Sequence, residues 1–216
     1  MNRILVTALL GVWLLAALPA AAADGWVFQF FGGSALNIDT PLTIRQPGYE
    51  DIDISATYMT RPFEDSPYYA YRIARWKGGA AWELEFVHHK LHLRNTTSEV
   101  PHFEVTHGFN LLHVNRAWER PRFLYRVGAG VVIGHPESTV RGMPSSGKGG
   151  LFNAGYFLAG ITGHVAAEKR FHLTRKLFAS LEGKLGAAYA RVPVAEGKAT
   201  VPNVAFHGLF GIGYEF

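Results

Sequence analysis

The sequence predicts an all-β protein: an antiparallel, up-and-down transmembrane β-barrel of eight to ten strands. Three observations predict it. Apolar and polar residues alternate along many segments, which is the period of a β-strand. No stretch after Ala23 approaches the roughly 20 apolar residues of a transmembrane helix, so membrane residence would depend on strands. The last segment alternates apolar and polar or glycine positions and ends on the aromatic Phe216.

The clearest element is a predicted hairpin over Tyr68–Arg94, which turns at the Gly-Gly pair of residues 78–79. Both central positions of a type I′ turn need positive φ, so this pair sets the register. Arg72 then lies opposite Glu85 on one face, and aromatic and aliphatic side chains such as Trp82 line the other face. No predicted helix could cover the apolar face. In a membrane barrel that face meets lipid and the charged face lines the lumen.

The chain begins with a predicted signal peptide over residues 1–23, which has a basic start, an apolar stretch over Ile4–Pro19 and small residues for cleavage. Residues 24–216 are predicted to form one domain. Removal of the signal peptide leaves 20 basic and 17 acidic residues, a net charge of +3. No run of Lys and Arg marks a nucleic-acid footprint, so no nucleic-acid partner is expected. The absence of cysteine excludes disulfides, thiolate metal sites and cysteine nucleophiles.

The other strands follow from the same alternation, taken in chain order. They cover Trp26–Ala35, Pro41–Gln46, Ile52–Thr60, the two arms of the hairpin, Phe103–Asn115, Phe123–Ile133, Ala154–Glu168, Lys176–Arg191 and Val204–Phe216. Eight strands start at Ile52 or later, and the two earlier segments raise the number to ten. Alternatively, the N-terminal segment 25–46 folds into or against the barrel. An even number is expected in either case.

The last strand carries the most specific signal, because apolar residues occupy alternate positions up to the C-terminus. These residues are Phe210, Ile212, Tyr214 and Phe216. In this pattern the sequence resembles bacterial outer-membrane β-barrel proteins, whose final strand ends in Phe. The resemblance implies residence in the outer membrane of a Gram-negative cell envelope, contact with outer-membrane lipids and lipopolysaccharide, and recognition of the last strand by the barrel assembly machinery. The alternative is a soluble, lipocalin-like barrel in the periplasm, whose outer face would be polar.

Loop lengths orient the predicted strands, because outer-membrane barrels have short periplasmic turns and long external loops. With the C-terminus in the periplasm, the short links at residues 78–79, 118–121 and 171–174 all lie on the periplasmic side. The long segments Asn95–His102, Gly134–Asn153 and Pro193–Pro202 then lie outside. The two sets of connections agree with one orientation.

The predicted barrel is too narrow for an aqueous pore, since an interior of about eight strands holds only side chains. The charged residues expected to face inward are of mixed sign: Arg72, Glu83, Glu85, Arg126, Glu182 and Lys184. Buried charges need partners, so they predict a salt-bridged plug and a structural or surface-interaction role for the barrel. A second interpretation treats the same carboxylates as an acid/base pair.

Histidines near the outer ends of the predicted strands allow two interpretations. In one they are rim residues, where the strands leave the lipid. In the other, Glu85, His89, His107 and Asn110 form a site at the outer mouth for a metal ion or a lipid headgroup. On a strand, His88 and His92 share a face and His89 takes the other, so the spacing gives no metal-ligand motif. Neither a metal centre nor a cofactor is therefore predicted.

Two other functions are consistent with the sequence. A lipid A or phospholipid hydrolase or acyltransferase could use His135, Glu137 and Ser138, which have the residue types of a nucleophile and its base. No family motif surrounds these three residues. A narrow, gated channel is the third possibility. The glycine-rich segment 145–150 lacks the Ser or Thr that follows the Lys of a phosphate loop, and it is predicted to be a flexible external loop.

Overall fold

The computed structural model describes residues 24–64, 66–146 and 149–216. The predicted signal peptide, residues 1–23, lies outside these ranges, as does Lys148 of the predicted external loop. Among the described residues, no helix is long and apolar enough to cross a membrane. These residues form β1 (Gly25–Ile38), β2 (Thr40–Arg45), β3 (Ile52–Ala56), β4 (Tyr58–Met59), β5 (Tyr69–Lys77), β6 (Ala80–Leu93), β7 (His102–Glu119), β8 (Leu124–Val140), β9 (Met143–Ser146), β10 (Phe157–His172), β11 (Leu177–Val194) and β12 (Gly197–Glu215).

Eight of the strands close into an antiparallel ring in the order β1, β5, β6, β7, β8, β10, β11 and β12, and β12 pairs back to β1. The closing pair runs from Val27 opposite Glu215 to Ile38 opposite Val204. Closure pairs the backbone groups of every strand in the ring, so no sheet edge faces lipid. The predicted all-β, antiparallel barrel is confirmed, and its ring has eight strands rather than ten.

The membership of the ring differs from the prediction at the N-terminal side. Trp26–Ala35 belongs to β1 and closes the barrel, whereas Ile52–Thr60 divides into β3 and β4 beyond the ring. β2 pairs with the outer end of β12 and with β3, and β4 pairs with the outer end of β6. The alternation in Ile52–Thr60 buries an apolar face against a core outside the membrane. A period of two does not distinguish that face from one that meets lipid.

The hairpin that sets the register is confirmed in detail. Gly78 and Gly79 have φ of 58° and 73°, as a type I′ turn requires. Arg72 pairs with Glu85, and the apolar pairs fall on the opposite face. Because side chains alternate, this one turn determines which residues of β5 and β6 enter the lumen.

Both ends of the described chain and the three short turns lie at one end of the barrel, which the predicted orientation assigns to the periplasm and which is called the periplasmic end below. The backbone N–H of Phe216 donates to the Trp26 carbonyl there (2.9 Å). At the other end the predicted loop Pro193–Pro202 is wrong, because β11 and β12 continue as a hairpin joined only by residues 195–196. Much of Gly134–Asn153 is strand as well, since β8 extends to Val140 and folds back as β9. The external side is therefore built largely of β-structure.

The outward face of the ring is apolar. Its exposed side chains include Phe28, Phe30, Tyr71, Ile73, Leu84, Val114, Val127, Ile161, Val165, Leu181, Leu185, Phe206, Phe210 and Ile212. The inward positions between them are buried, and many carry charge. An apolar exterior around a closed ring with buried charge inside is the arrangement expected of an outer-membrane β-barrel.

The interior is filled at three levels along the barrel axis. A small apolar cluster around Trp76 and Phe178 lies at the periplasmic end, and the charged layer lies above it. A large apolar cluster begins above the charged layer at Phe31 and continues into the external extension, where it includes Leu42 of β2 and Ile54 of β3. The external strands are thus continuous with the lumen through one hydrophobic core.

Candidate functional site

The charged layer of the lumen is centred on Arg72, which projects inward from β5. Its Nη2 lies 2.5 Å from Glu85 Oε1 and 2.8 Å from Glu182 Oε2, and its Nη1 lies 3.2 Å from Glu168 Oε2. Its Nε is 3.5 Å from Glu83 Oε2. All these side chains are buried, so Arg72 bridges carboxylates from β6, β10 and β11.

A second guanidinium, Arg126 of β8, shares three of these carboxylates. Its Nε lies 3.0 Å from Glu83 Oε2 and its Nη2 lies 2.5 Å from Glu168 Oε2, while its Nη1 contacts Glu182. Lys184 Nζ lies 2.7 Å from Glu85 Oε1. The structure therefore brings together all six charged residues that the alternation placed in the lumen.

The network also contains residues that the sequence reasoning missed. Glu168 and Arg170 of β10 form an ion pair at 2.9 Å, Gln29 of β1 donates to Glu168 (2.7 Å), and Asn115 of β7 donates to Glu83 (3.2 Å). The predicted strand over Ala154–Glu168 stopped at Glu168. Extension of its alternation by two residues would have placed both charges inward. With Arg170 and Glu168 included, the described lumen layer has four cationic and four anionic side chains.

Two buried histidines adjoin the charged layer. His113 Nδ1 and His164 Nε2 each lie 3.7 Å from Glu85 Oε2, and the two rings meet edge to face with centroids 4.5 Å apart. Above them, Tyr68 bonds His207 Nδ1 (2.7 Å). These groups adjoin the large apolar cluster, of which Tyr68 is a member, and Phe31 of the same cluster packs directly against the Arg72 guanidinium (4.9 Å).

The structure does not bring together the predicted outer-mouth set Glu85, His89, His107 and Asn110. Glu85 and His89 face the lumen, where His89 Nε2 bonds Asn37 (3.1 Å). Asn110 lies on the outer wall and bonds His88 Nδ1 (2.8 Å). The separation follows from strand alternation, because Asn110 pairs with His88 and not with His89.

The predicted set His135, Glu137 and Ser138 is also divided. His135 and Glu137 point outward from β8, whereas Ser138 is the next residue along the strand and is buried on the inward face, 3% exposed. Successive residues of a strand point to opposite faces, so the hydroxyl cannot bond its intended base. These three residues do not form a nucleophile and base.

The structure instead assembles a different set on the outer wall. His107 Nδ1 lies 3.3 Å from Glu137 Oε1, and His135 Nε2 lies 3.9 Å from the same oxygen. The His107 and His135 rings have centroids 5.1 Å apart. Sequence reasoning considered His107 and His135 separately and missed their contact, which depends on an irregularity in β7.

Next to this set, the carboxylate of Glu104 also contacts two histidines. Glu104 Oε2 lies 3.0 Å from His92 Nδ1, and Glu104 Oε1 lies 3.6 Å from His102 Nε2. Glu104 is directly opposite Glu137 in the β7–β8 register. The outer wall therefore carries two adjacent histidine–glutamate groups on neighbouring strands.

In the external extension, two groups have shifted pKa values. The hydrogen bond from Arg45 Nε to Asp51 Oδ2 (2.8 Å) raises the pKa of Arg45, and the charge of Asp51 adds to the effect. Burial raises the pKa of the Tyr58 phenol. Both groups keep their protons near neutral pH, so neither makes the extension sensitive to pH in that range.

Comparison with known proteins shows similarity in architecture only. No family model matches the sequence, and no curated protein matches it at a significant level. Among solved structures, the outer membrane protein AlkL is 12% identical with a TM-score of 0.49, covering 100% of this chain and 97% of that one. OprG from Pseudomonas aeruginosa is 11% identical with a TM-score of 0.45, covering 89% and 96%. Neisserial surface protein A is 8% identical with a TM-score of 0.43, covering 90% and 98%.

Proposed function

We propose that this protein is a non-conducting outer-membrane barrel that presents a rigid β-structure at the cell surface, with a structural or surface-interaction role. The filled lumen is the observation that carries the proposal. Ions would have to pass an apolar cluster at Trp76, the charged layer at Arg72 and a second apolar cluster that begins at Phe31. Each level is built from buried side chains of several strands.

The external extension supports the surface role. β2, β3, β4 and β9 pair with the outer ends of ring strands, and the core that includes Leu42 and Ile54 holds them there. A structure held by a shared core and by backbone pairing presents a defined surface without an ordering cost on binding. The partner expected from its position is lipopolysaccharide or another component of the cell surface.

Side chains at the periplasmic end of the wall support the proposed contact with membrane lipids. Cationic side chains lie over aromatic rings near this end, as in Arg75 over Trp26 (5.6 Å) and Lys176 over Tyr214 (5.7 Å). Aromatic girdles mark the membrane interfaces of such barrels. Phe210 and Ile212 are exposed on the outward face of β12, together with Tyr214 and Phe216, where assembly machinery could read them.

Electrical recording in planar bilayers tests the central claim. The purified barrel, inserted at neutral pH, is expected to give no unitary conductance steps across a wide voltage range, because its lumen is closed at three levels. A general porin inserted in the same bilayer serves as the positive control. Reproducible steps that scale with protein added and are absent from a mock preparation would favour the gated channel instead.

The lipid-modifying enzyme receives less support from the geometry. Its proposed nucleophile, Ser138, faces the hydrophobic core and not the membrane, while His135 and Glu137 face outward. A lipid acyl ester in the outer leaflet could not approach the Ser138 hydroxyl without opening the wall between β7 and β8.

A further inference from the structure

We propose that His107, His135 and Glu137 bind one divalent transition-metal ion of the zinc type at the outer rim of the barrel. This inference does not depend on the proposed surface role. It rests on donor geometry, on the irregularity of β7 that creates the geometry, and on a like-charge pair that a cation would neutralise.

The three donor atoms converge within the reach of one ion. Glu137 Oε1 lies 3.3 Å from His107 Nδ1 and 3.9 Å from His135 Nε2. Tetrahedral ligands at about 2.1 Å from zinc are separated by about 3.4 Å. These two separations lie on either side of this value, and all three donor atoms lie within 4.8 Å of one another, so side-chain rotations can bring them around one ion. Two imidazoles and one carboxylate leave a fourth position for water.

A bulge in β7 aims His107 at the other two ligands. Val105 pairs with Pro136 and Phe109 pairs with Gly134, so three residues of β7 lie opposite the single residue His135. Gly108 supports the bulge with φ of 134°. Bulges often re-aim a side chain next to a functional site. Here the bulge turns His107 outward, where its side chain is 55% exposed.

The surroundings favour a cation. Glu104 and Glu137 lie directly opposite each other across β7 and β8, an arrangement that is destabilising for like charges. A divalent ion on Glu137 would reduce this repulsion. The His135 ring is held edge-on to Tyr156 with centroids 4.9 Å apart, and its buried Nδ1 has no hydrogen-bond partner among the described residues. The contact with Tyr156 thus orients the ring while Nε2 lies 3.9 Å from Glu137 Oε1.

The position makes the site accessible. His135 follows Ile133 on the outward face of β8, and Ile133 pairs with Leu158, which is 66% exposed. The ligands therefore lie just beyond the apolar wall, in the headgroup region. Imidazole ligands select zinc and its transition-metal neighbours over calcium and magnesium, which prefer oxygen donors.

The buried group Glu85, His113 and His164 has the same donor types and is a weaker candidate. The Lys184 ammonium lies 2.7 Å from Glu85 Oε1 and would repel a divalent ion. Apolar clusters also separate this group from both ends of the barrel. His164→Ala therefore serves as a control for metal binding inside the lumen.

Calorimetric titration of zinc chloride into the untagged barrel in detergent tests the proposal. The parent protein is expected to bind one equivalent, and His107→Ala, His135→Ala and Glu137→Gln are each expected to weaken binding by about tenfold or more. His102→Ala is the matched control, an exposed histidine of the same strand outside the set. It and His164→Ala are expected to keep the parent affinity. Calcium chloride is expected to give no comparable binding.

Cobalt absorption provides a second measurement, since Co²⁺ in a four-coordinate site absorbs strongly in the visible range. The three rim variants are expected to lose this band while they remain heat-modifiable in SDS gels, which shows that the barrel is folded. The proposal is overturned if the parent binds no zinc, if the double variant His107→Ala/His135→Ala binds as tightly as the parent, or if His164→Ala or His102→Ala abolishes binding.

Discussion

At the scale of single residues, Arg72 shows how charge is accommodated inside the barrel. Its guanidinium lies within 3.5 Å of carboxylate oxygens of Glu83, Glu85, Glu168 and Glu182. Each carboxylate meets a second cation as well, so no single partner neutralises it. A buried ion pair gains little over an apolar pair of equal volume, but removal of one member leaves an uncompensated charge. The network is therefore sensitive to the loss of any one member.

A double-mutant cycle on Arg72 and Glu85 measures this sensitivity. Arg72→Ala and Glu85→Ala are each expected to destabilise the barrel by about 3–5 kcal/mol, because each leaves the buried layer with one uncompensated charge. The double variant is expected to be more stable than the sum of the two effects predicts. Urea unfolding in lipid vesicles, followed by tryptophan fluorescence, gives the four free energies of unfolding, that of the parent included.

The exposed pair Arg61 and Glu64, at 3.4 Å outside the membrane, is the matched control for this cycle. Its coupling is expected to be about 0–1 kcal/mol, since solvent screens the interaction. Strict additivity for Arg72 and Glu85 would contradict the contact between them.

At the scale of elements, the bulge of β7 determines what the outer wall presents. A regular strand would continue the alternation through residues 106–108, whereas the bulge places three residues opposite His135. Gly108 is the last residue of the bulge and has positive φ, and a Cβ added there would lie 2.0 Å from Asn110 Nδ2. Asn110 is buried and bonded to His88, so it cannot move without breaking that bond.

Gly108→Ala is therefore expected to destabilise the barrel by about 1–3 kcal/mol and to weaken zinc binding through displacement of His107. Thermal unfolding in detergent and the zinc titration measure the two effects. Gly48→Ala is the control, since Gly48 also has positive φ (84°) but no atom within 4 Å of the added Cβ. Equal losses in the two variants would mean that backbone strain alone, and not the contact with Asn110, accounts for the effect.

At the scale of the whole molecule, the two faces of the wall determine where the protein resides. Trp76 and Trp82 show the two faces at one depth of the barrel. On the β5–β6 hairpin, the cross-strand partner of each tryptophan is the chain neighbour of the other tryptophan. Trp82 is 62% exposed on the outward face, and Trp76 is fully buried in the lumen. Apolar side chains meet acyl chains outside, and charged side chains neutralise one another inside.

Brominated phospholipids distinguish the two faces. In vesicles that contain such lipids, a variant with Trp82 as its single tryptophan is expected to be strongly quenched, whereas a variant with Trp76 alone is expected to be protected. The remaining tryptophans are replaced by phenylalanine in both. Quenching of Trp76 equal to that of Trp82 would contradict the inward position of the charged face, as would a barrel that stays soluble without detergent.

Local patterns in the sequence determined which side chains of the barrel wall face outward and which face the lumen. The Gly-Gly turn set the register of Arg72 against Glu85, and alternation placed Arg126, Glu182 and Lys184 in the lumen, because a period of two is a property of each strand by itself. The outward apolar face of β12 was evident for the same reason. The class of fold, the faces of the strands and most of the charged layer could therefore be predicted without coordinates.

Only the tertiary structure decided which segments became neighbours. β1, rather than Ile52–Thr60, closes the ring against β12, and this choice depends on backbone hydrogen bonds between segments at opposite ends of the chain. The bulge that joins His107 to His135 and Glu137 depends on how β7 accommodates two partner strands at once. Alternation is local, whereas ring closure and bulge position are set by pairing between distant strands, and a single sequence carries no direct record of that pairing.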